Sequence, residues 1–158
     1  MLLALALEGW ALQPGRKIWH YGYAQWQDRD GLPQNTVQAI AQSTDGYIWL
    51  GTEAGLVRFN GRAFRTYTQA NTPEMRSDSV LSLLARPDGG LWVGTRSGLI
   101  LRRGEKSRSI SKGMGSHEGI RALAQDEAGN LWVGTNRGVT RVAAGQEAAG
   151  RYWTQADG

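Results

Sequence analysis

Three short stretches set the pattern of the chain. YIWLGT at 47–52, GLWVGT at 90–95 and NLWVGT at 130–135 each carry two aliphatic residues with a tryptophan between them. In an extended strand successive side chains point to opposite faces. Ile48 with Leu50, Leu91 with Val93 and Leu131 with Val133 therefore share one face, and Trp49, Trp92 and Trp132 occupy the other. A strand that is apolar on both faces belongs in a sheet covered on both sides.

The surrounding residues repeat as well. Gly51, Gly94 and Gly134 follow each tryptophan by two, Thr52, Thr95 and Thr135 by three, and Gly55, Gly98 and Gly138 by six. An Asp-Gly pair, Asp45-Gly46 or Asp88-Gly89, precedes the tryptophan and marks a tight hairpin turn, with Ala128-Gly129 as the exception. Before that turn lie VQAIAQ from Val37, VLSLLA from Val80 and IRALAQ from Ile120, each read as a first strand. After the second turn GLVRF, GLILR and GVTRV read as third strands. Fourth strands are placed at 63–69, more weakly at 107–111, where Ile110 replaces an aromatic, and at 151–155. A further segment of this fourth type, Tyr23 to Gln27, lies upstream of the first unit.

Units recurring at spacings of 43 and 40 residues fall in the range of propeller blades. One such unit buries too little apolar surface to order itself, so like units must stack, and the residues that cover a neighbour recur while loop residues vary. The fold class expected is all-β, a β-propeller with about three four-stranded blades of an incomplete ring, because propellers close with about four to eight. The organisation expected is a signal-peptide remnant or tail over 1–16, and a leading segment with the outer strand of a closing blade over 17–36. Blade 1 then spans 37–70, blade 2 with its linker 71–112, and blade 3 with the start of another repeat 113–158. An isolated arc of this kind is expected to associate or to be unstable.

Composition agrees with many turns between short packed strands. The 158 residues include 22 glycines, 7 tryptophans and no cysteine, with 41% hydrophobic residues. The lack of cysteine removes disulfides, thiolate metal sites and cysteine nucleophiles together. The net charge of +4 is spread, except for the run Arg96, Arg102, Arg103, Lys106, Arg108 and Lys112, interrupted by Glu105. That run reads as a solvated strand edge rather than a nucleic-acid patch. The apolar run Leu2–Leu7 is far too short to span a membrane, and reads either as the end of a signal peptide or as a plain strand or tail.

Candidate chemistry is sparse. His20 and His117 stand alone, Asp28 and Asp30 flank a turn and read as local caps, and no metal-ligand spacing or nucleophile, base and acid arrangement is present. No catalytic residue, metal site or cofactor is assigned.

The string WQDRDGLPQNTVQAIAQSTDGYIWLGTEAGLVRFNG, with Asp30-Gly31-Leu32-Pro33, Asn35 and the three WxGTxxG blocks, resembles the two-component regulator propeller family. The resemblance covers about residues 19–158. It implies a seven-bladed extracytoplasmic propeller in the periplasmic sensor region of bacterial hybrid histidine kinases or diguanylate cyclases, with the output domain outside this chain. It also implies a non-catalytic input module that binds a saccharide or other small ligand, or signals through packing of two protomers in a homodimer, with further blades as partners. Neither nucleic acid nor membrane is expected to contact this segment. A protein-interaction or carbohydrate-binding scaffold without signalling output is the alternative. The variable residues after each WxGT, Glu53, Arg96, Asn136 and Arg137, fall in equivalent turns on one face of the ring and are the candidate ligand contacts.

Overall fold

The structure, a computed structural model, describes residues 24–110, 119–145 and 152–154. The leader at 1–16, His20, Tyr23, His117, Lys112 and the Asp157-Gly158 turn lie outside them. The strands form three antiparallel four-stranded sheets, each in simple chain order, and each sheet is one blade. Blade 1 contains β1 (Val37–Gln42), β2 (Ile48–Thr52), β3 (Gly55–Phe59) and β4 (Phe64–Tyr67). Blade 2 contains β5 (Val80–Ala85), β6 (Gly90–Thr95), β7 (Gly98–Arg103) and β8 (Lys106–Ser109). Blade 3 contains β9 (Ile120–Gln125), β10 (Leu131–Thr135), β11 (Gly138–Val142) and β12 (Tyr152–Thr154). The first strands of successive blades lie next to one another, β1 by β5 and β5 by β9.

Blades stack through the alternation read from the sequence. Trp49, Leu56 and Tyr67 of blade 1 meet Val80, Leu91, Val93 and Ile100 of blade 2 in one buried cluster. Trp92, Leu99, Leu101 and Ile110 of blade 2 meet Ile120, Leu131, Val133 and Val142 of blade 3 in another. Trp49 and Trp92 therefore each cover the following blade, and the pairs Leu91–Val93 and Leu131–Val133 receive the tryptophan of the blade before. Met75, from the linker between blades 1 and 2, is buried in the first cluster. That linker is tied down by Asn71 Oδ1 and Asp78 Oδ1, which accept the backbone N–H groups of Thr68 and Gln69.

Gly51 and Gly94, two residues after their tryptophans, lie where the next blade begins. A Cβ on Gly51 would lie 2.8 Å from Val80 Cγ1, and one on Gly94 would lie 2.7 Å from Ile120 Cγ2. The threonine that follows closes the turn between the second and third strands. Thr52, Thr95 and Thr135 donate through Oγ1 to the carbonyls of Gly55, Gly98 and Gly138 at 2.9, 2.9 and 3.1 Å. The same hydroxyls accept the N–H groups of Ala54, Ser97 and Arg137.

Residues 24–27, part of the expected outer strand of a closing blade, are not in a strand in this chain. A strand needs a ladder partner, and no described strand lies beside them; Trp26 instead meets Phe59 edge-on at 4.9 Å, and Asp28–Asp30 form a 3₁₀ turn. The cationic run on β7 and β8 is not wholly a solvated edge, because Arg102 is only 3% exposed and faces blade 1.

Candidate functional site

The four candidate contacts lie in the β2–β3, β6–β7 and β10–β11 turns, at the end of the sheets where the first strands begin. Glu53, Arg96, Asn136 and Arg137 are all exposed. A feature that sequence reasoning missed organises them. The first strand of each blade has an irregular register near its start, between Val37 and Ala39, between Val80 and Ser82, and opposite Gly134 and Thr135. The shift inserts an extra residue at each place, Gln38, Leu81 and Arg121, and such a bulge re-aims its side chain.

In two blades that side chain reaches the candidate turn. Gln38 Nε2 donates to Glu53 Oε1 at 3.2 Å, and Arg121 Nε donates to Asn136 Oδ1 at 2.9 Å. Gln34 Oε1 also accepts the Glu53 N–H at 3.0 Å. Blade 2 differs. Its extra residue is Leu81, which is buried beneath Gly119, and the Arg96 N–H donates to the Ser79 carbonyl at 2.9 Å. Glu53 and Asn136 are thus each fixed within their own blade by a polar partner, whereas Arg96 is anchored through its backbone. Gln34, Gln38 and Arg121 join the candidate set. For Gln38 and Arg121 the signal was present in the sequence only as the variable second position of VQAIAQ and IRALAQ, which carries no message until the bulge is seen.

The row of turns can offer hydrogen-bond donors and acceptors of both charges to a polar ligand. Among the described residues no group of three or more His, Asp or Glu is placed to hold a metal ion. Asp28 and Asp30 serve the local turn: Asp30 Oδ2 accepts the Gln27 N–H and Asp28 Oδ1 the Arg29 N–H, while Asn35 Oδ1 accepts the Asp28 N–H.

Three antiparallel four-stranded sheets stacked face to face, with first strands adjacent, define consecutive blades of a β-propeller. The family model described as two component regulator propeller matches the chain over residues 31–54, 74–97 and 114–137, and the three repeats of this chain belong to that family. Each match ends within the turn that holds the candidate residues. Among solved structures, the chain is similar to the extracellular domain of the hybrid two component system BT3049 from B. thetaiotaomicron, with a TM-score of 0.65 and 23% identity over 75% of the chain. It is also similar to the extracellular domain of the one component system BT4673 from the same organism, with a TM-score of 0.65 and 25% identity over 80% of the chain. The chain spans 17% of the length of each of these two domains. A more distant likeness, with a TM-score of 0.53 and 15% identity over 77% of the chain and 41% of the other, is to YCF48 bound to a D1 peptide. Comparison with the curated proteins finds no match. Among the described residues no helix is long and apolar enough to cross a membrane.

Proposed function

We propose that this chain forms part of the periplasmic, ligand-sensing input module of a bacterial signal-transduction protein and carries no catalytic step itself. The observation that supports this reading most directly is the polar pairing Gln38–Glu53 and Arg121–Asn136, repeated at the same end of two blades. Side chains already held by a neighbour lose little freedom when a ligand arrives, so their hydrogen bonds are used efficiently. With Arg96 and Arg137 alongside, the row suits a small polar ligand such as a saccharide, and a change in how two protomers pack would carry the signal onward. Membership of the two component regulator propeller family and likeness to extracellular domains of hybrid two component and one component systems support the same reading.

Further blades complete the molecule in this proposal. The leading face of blade 1 holds an apolar groove of about 400 Å³ lined by Trp26, Leu32, Ile40, Leu50, Phe59 and Phe64, among others. Ile40 is 69% exposed there. It repeats the chemistry that receives a tryptophan in blades 2 and 3.

The test is an oligosaccharide binding screen with the chain in its sensor, comparing wild type with the Glu53→Ala, Arg96→Ala and Arg121→Ala variants. A saccharide that binds wild type and is weakened by at least one of these changes supports the reading. Binding that all three variants leave unchanged, or no binding to any saccharide, contradicts it.

A further inference from the structure

At the opposite end of the sheets the β7–β8 turn of blade 2 reaches across to blade 1. Glu105 on that turn meets Arg65 at 3.0 Å and Arg58 and Arg102 at 3.5 Å each. Arg58 and Arg65 are direct ladder partners on β3 and β4, and Arg102 comes from β7. Three guanidinium groups thus share one carboxylate, and that carboxylate is itself 57% exposed on a turn.

Arg102 is the unusual member. Its guanidinium carbon lies 3.8 Å from the Tyr67 ring centre and 5.5 Å from that of Trp49, and the residue is 3% exposed. Its ladder position, opposite Leu91, is filled in blade 1 by Phe59 opposite Ile48 and in blade 3 by Val142 opposite Leu131. The fold itself therefore asks for an apolar residue here. Nη1 and Nη2 donate to Ser107 Oγ and Glu105, but Nε is buried and finds no hydrogen-bond partner among the described residues; neither does the buried Tyr67 hydroxyl. Burying a guanidinium with a donor unused is costly, and an aliphatic residue would pack the position at no such cost.

We propose that Arg58, Arg65 and Arg102 form a binding site for an oxyanion group of a small ligand, a carboxylate, sulfate or phosphate, and that Glu105 occupies part of it in the unliganded chain. Arginine forks suit these groups because two parallel N–H donors match two oxygens of the anion. Glu105 can withdraw into solvent when the ligand arrives, since its turn is exposed. The ligand then bridges blade 1 and blade 2, replacing the carboxylate that does so now. The site lies away from the turns of Glu53, Arg96 and Asn136, so either reading can fail without the other.

Isothermal titration of the full 158-residue chain with sodium sulfate, sodium phosphate and sodium succinate tests this at low ionic strength. Saturable one-site binding of at least one probe is expected. Glu105→Gln removes the internal competitor and is expected to tighten binding about fivefold, and Arg65→Ala to weaken it about tenfold. Arg103→Ala is the control, because Arg103 is exposed and pairs with Asp88 at 2.9 Å outside the cluster. It is expected to change nothing. Succinate against the two tetrahedral anions distinguishes which oxyanion shape the arginines take. Circular dichroism of each variant verifies the fold; the substituted side chains, Arg65, Glu105 and Arg103, are all more than half exposed. No saturable binding of any probe, no gain from Glu105→Gln, or equal weakening by Arg65→Ala and Arg103→Ala would overturn the proposal.

Discussion

The glycine that follows each tryptophan carries different weight in different blades. A Cβ on Gly94 would run into Ser82 Oγ of its own blade and lie 2.7 Å from Ile120 Cγ2 of the next, whereas the nearest atom to a Cβ on Gly134 is Ala122 Cβ of its own blade at 3.3 Å. Gly94→Ala is expected to destabilise the chain by about 1–3 kcal/mol and Gly134→Ala by markedly less, as read by urea unfolding. Equal effects would deny that Gly94 is the more crowded of the two. Asp88 gives a pH test. Arg86 holds its carboxyl at about 2 against an ordinary 3.8, chiefly through a side-chain hydrogen bond, helped by the Gly90 N–H and Arg103. A depressed folded value means the stabilisation is complete above pH 3.8 and disappears as pH falls through about 2. Wild type should therefore lose stability over that window more steeply than Asp88→Asn, measured by thermal melts from pH 5 downward. Much of this detail was hidden in the sequence. Ala128 looked like a loss of the turn aspartate, yet the turn survives because Asp126 accepts the Asn130 N–H at 2.8 Å and the Trp132 indole N–H at 2.9 Å. Ser43 receives the Trp49 indole from the same place in blade 1. In blade 2 Arg86 stands there, stacked over Trp92 at 5.3 Å, and the Trp92 indole nitrogen is buried with no hydrogen-bond partner among the described residues. Substitutions that compensate across a turn are visible only when the turn is folded.

Strands were more legible than the residues that decorate them. The first strands predicted from the sequence coincide with β1, β5 and β9, because a short run of small and apolar residues ending at an Asp-Gly or Gly turn has few alternative readings. The bulge at the start of each was not legible, since one inserted residue leaves the apolar count intact while turning a side chain toward the candidate site. The segment at 24–27 shows a related dependence: an aromatic pattern can mark a strand, but only a partner makes one, and none of the described strands pairs with it. Within the stack, Trp92 is enclosed between blades at 2% exposure, whereas Trp132 is half-buried on the trailing face of blade 3. Trp92→Ala is accordingly expected to cost about 3–5 kcal/mol and Trp132→Ala less. Chemical denaturation of the two variants checks this, and a reversed order would contradict the packing direction. Arg102→Met is expected to be neutral or stabilising toward denaturant, because it restores the apolar residue that the sister blades carry.

Across the described residues, one surface type recurs at each boundary between blades and is exposed on the leading face of blade 1 and the trailing face of blade 3. The trailing face of blade 3 presents Trp132 stacked on Trp153 at 5.8 Å with Val139 40% exposed, matching Trp49 stacked on Tyr67 at 5.8 Å beside the buried Leu56 in blade 1. The leading face of blade 1 presents Ile40, Ile48 and Leu50, which match Leu83, Leu91 and Val93. These two faces are complementary halves of the contact already made twice inside the chain. Sedimentation velocity should show concentration-dependent association of the isolated chain, reduced by Ile40→Lys; a monomer at all concentrations would count against it. The stack rests on tryptophans that reach across to the following sheet. Nuclear Overhauser contacts from the Trp92 indole protons decide it. Cross-peaks to the methyl groups of Ile120, Leu131 and Val133 are predicted, and cross-peaks confined to methyl groups of blade 2 would contradict the account.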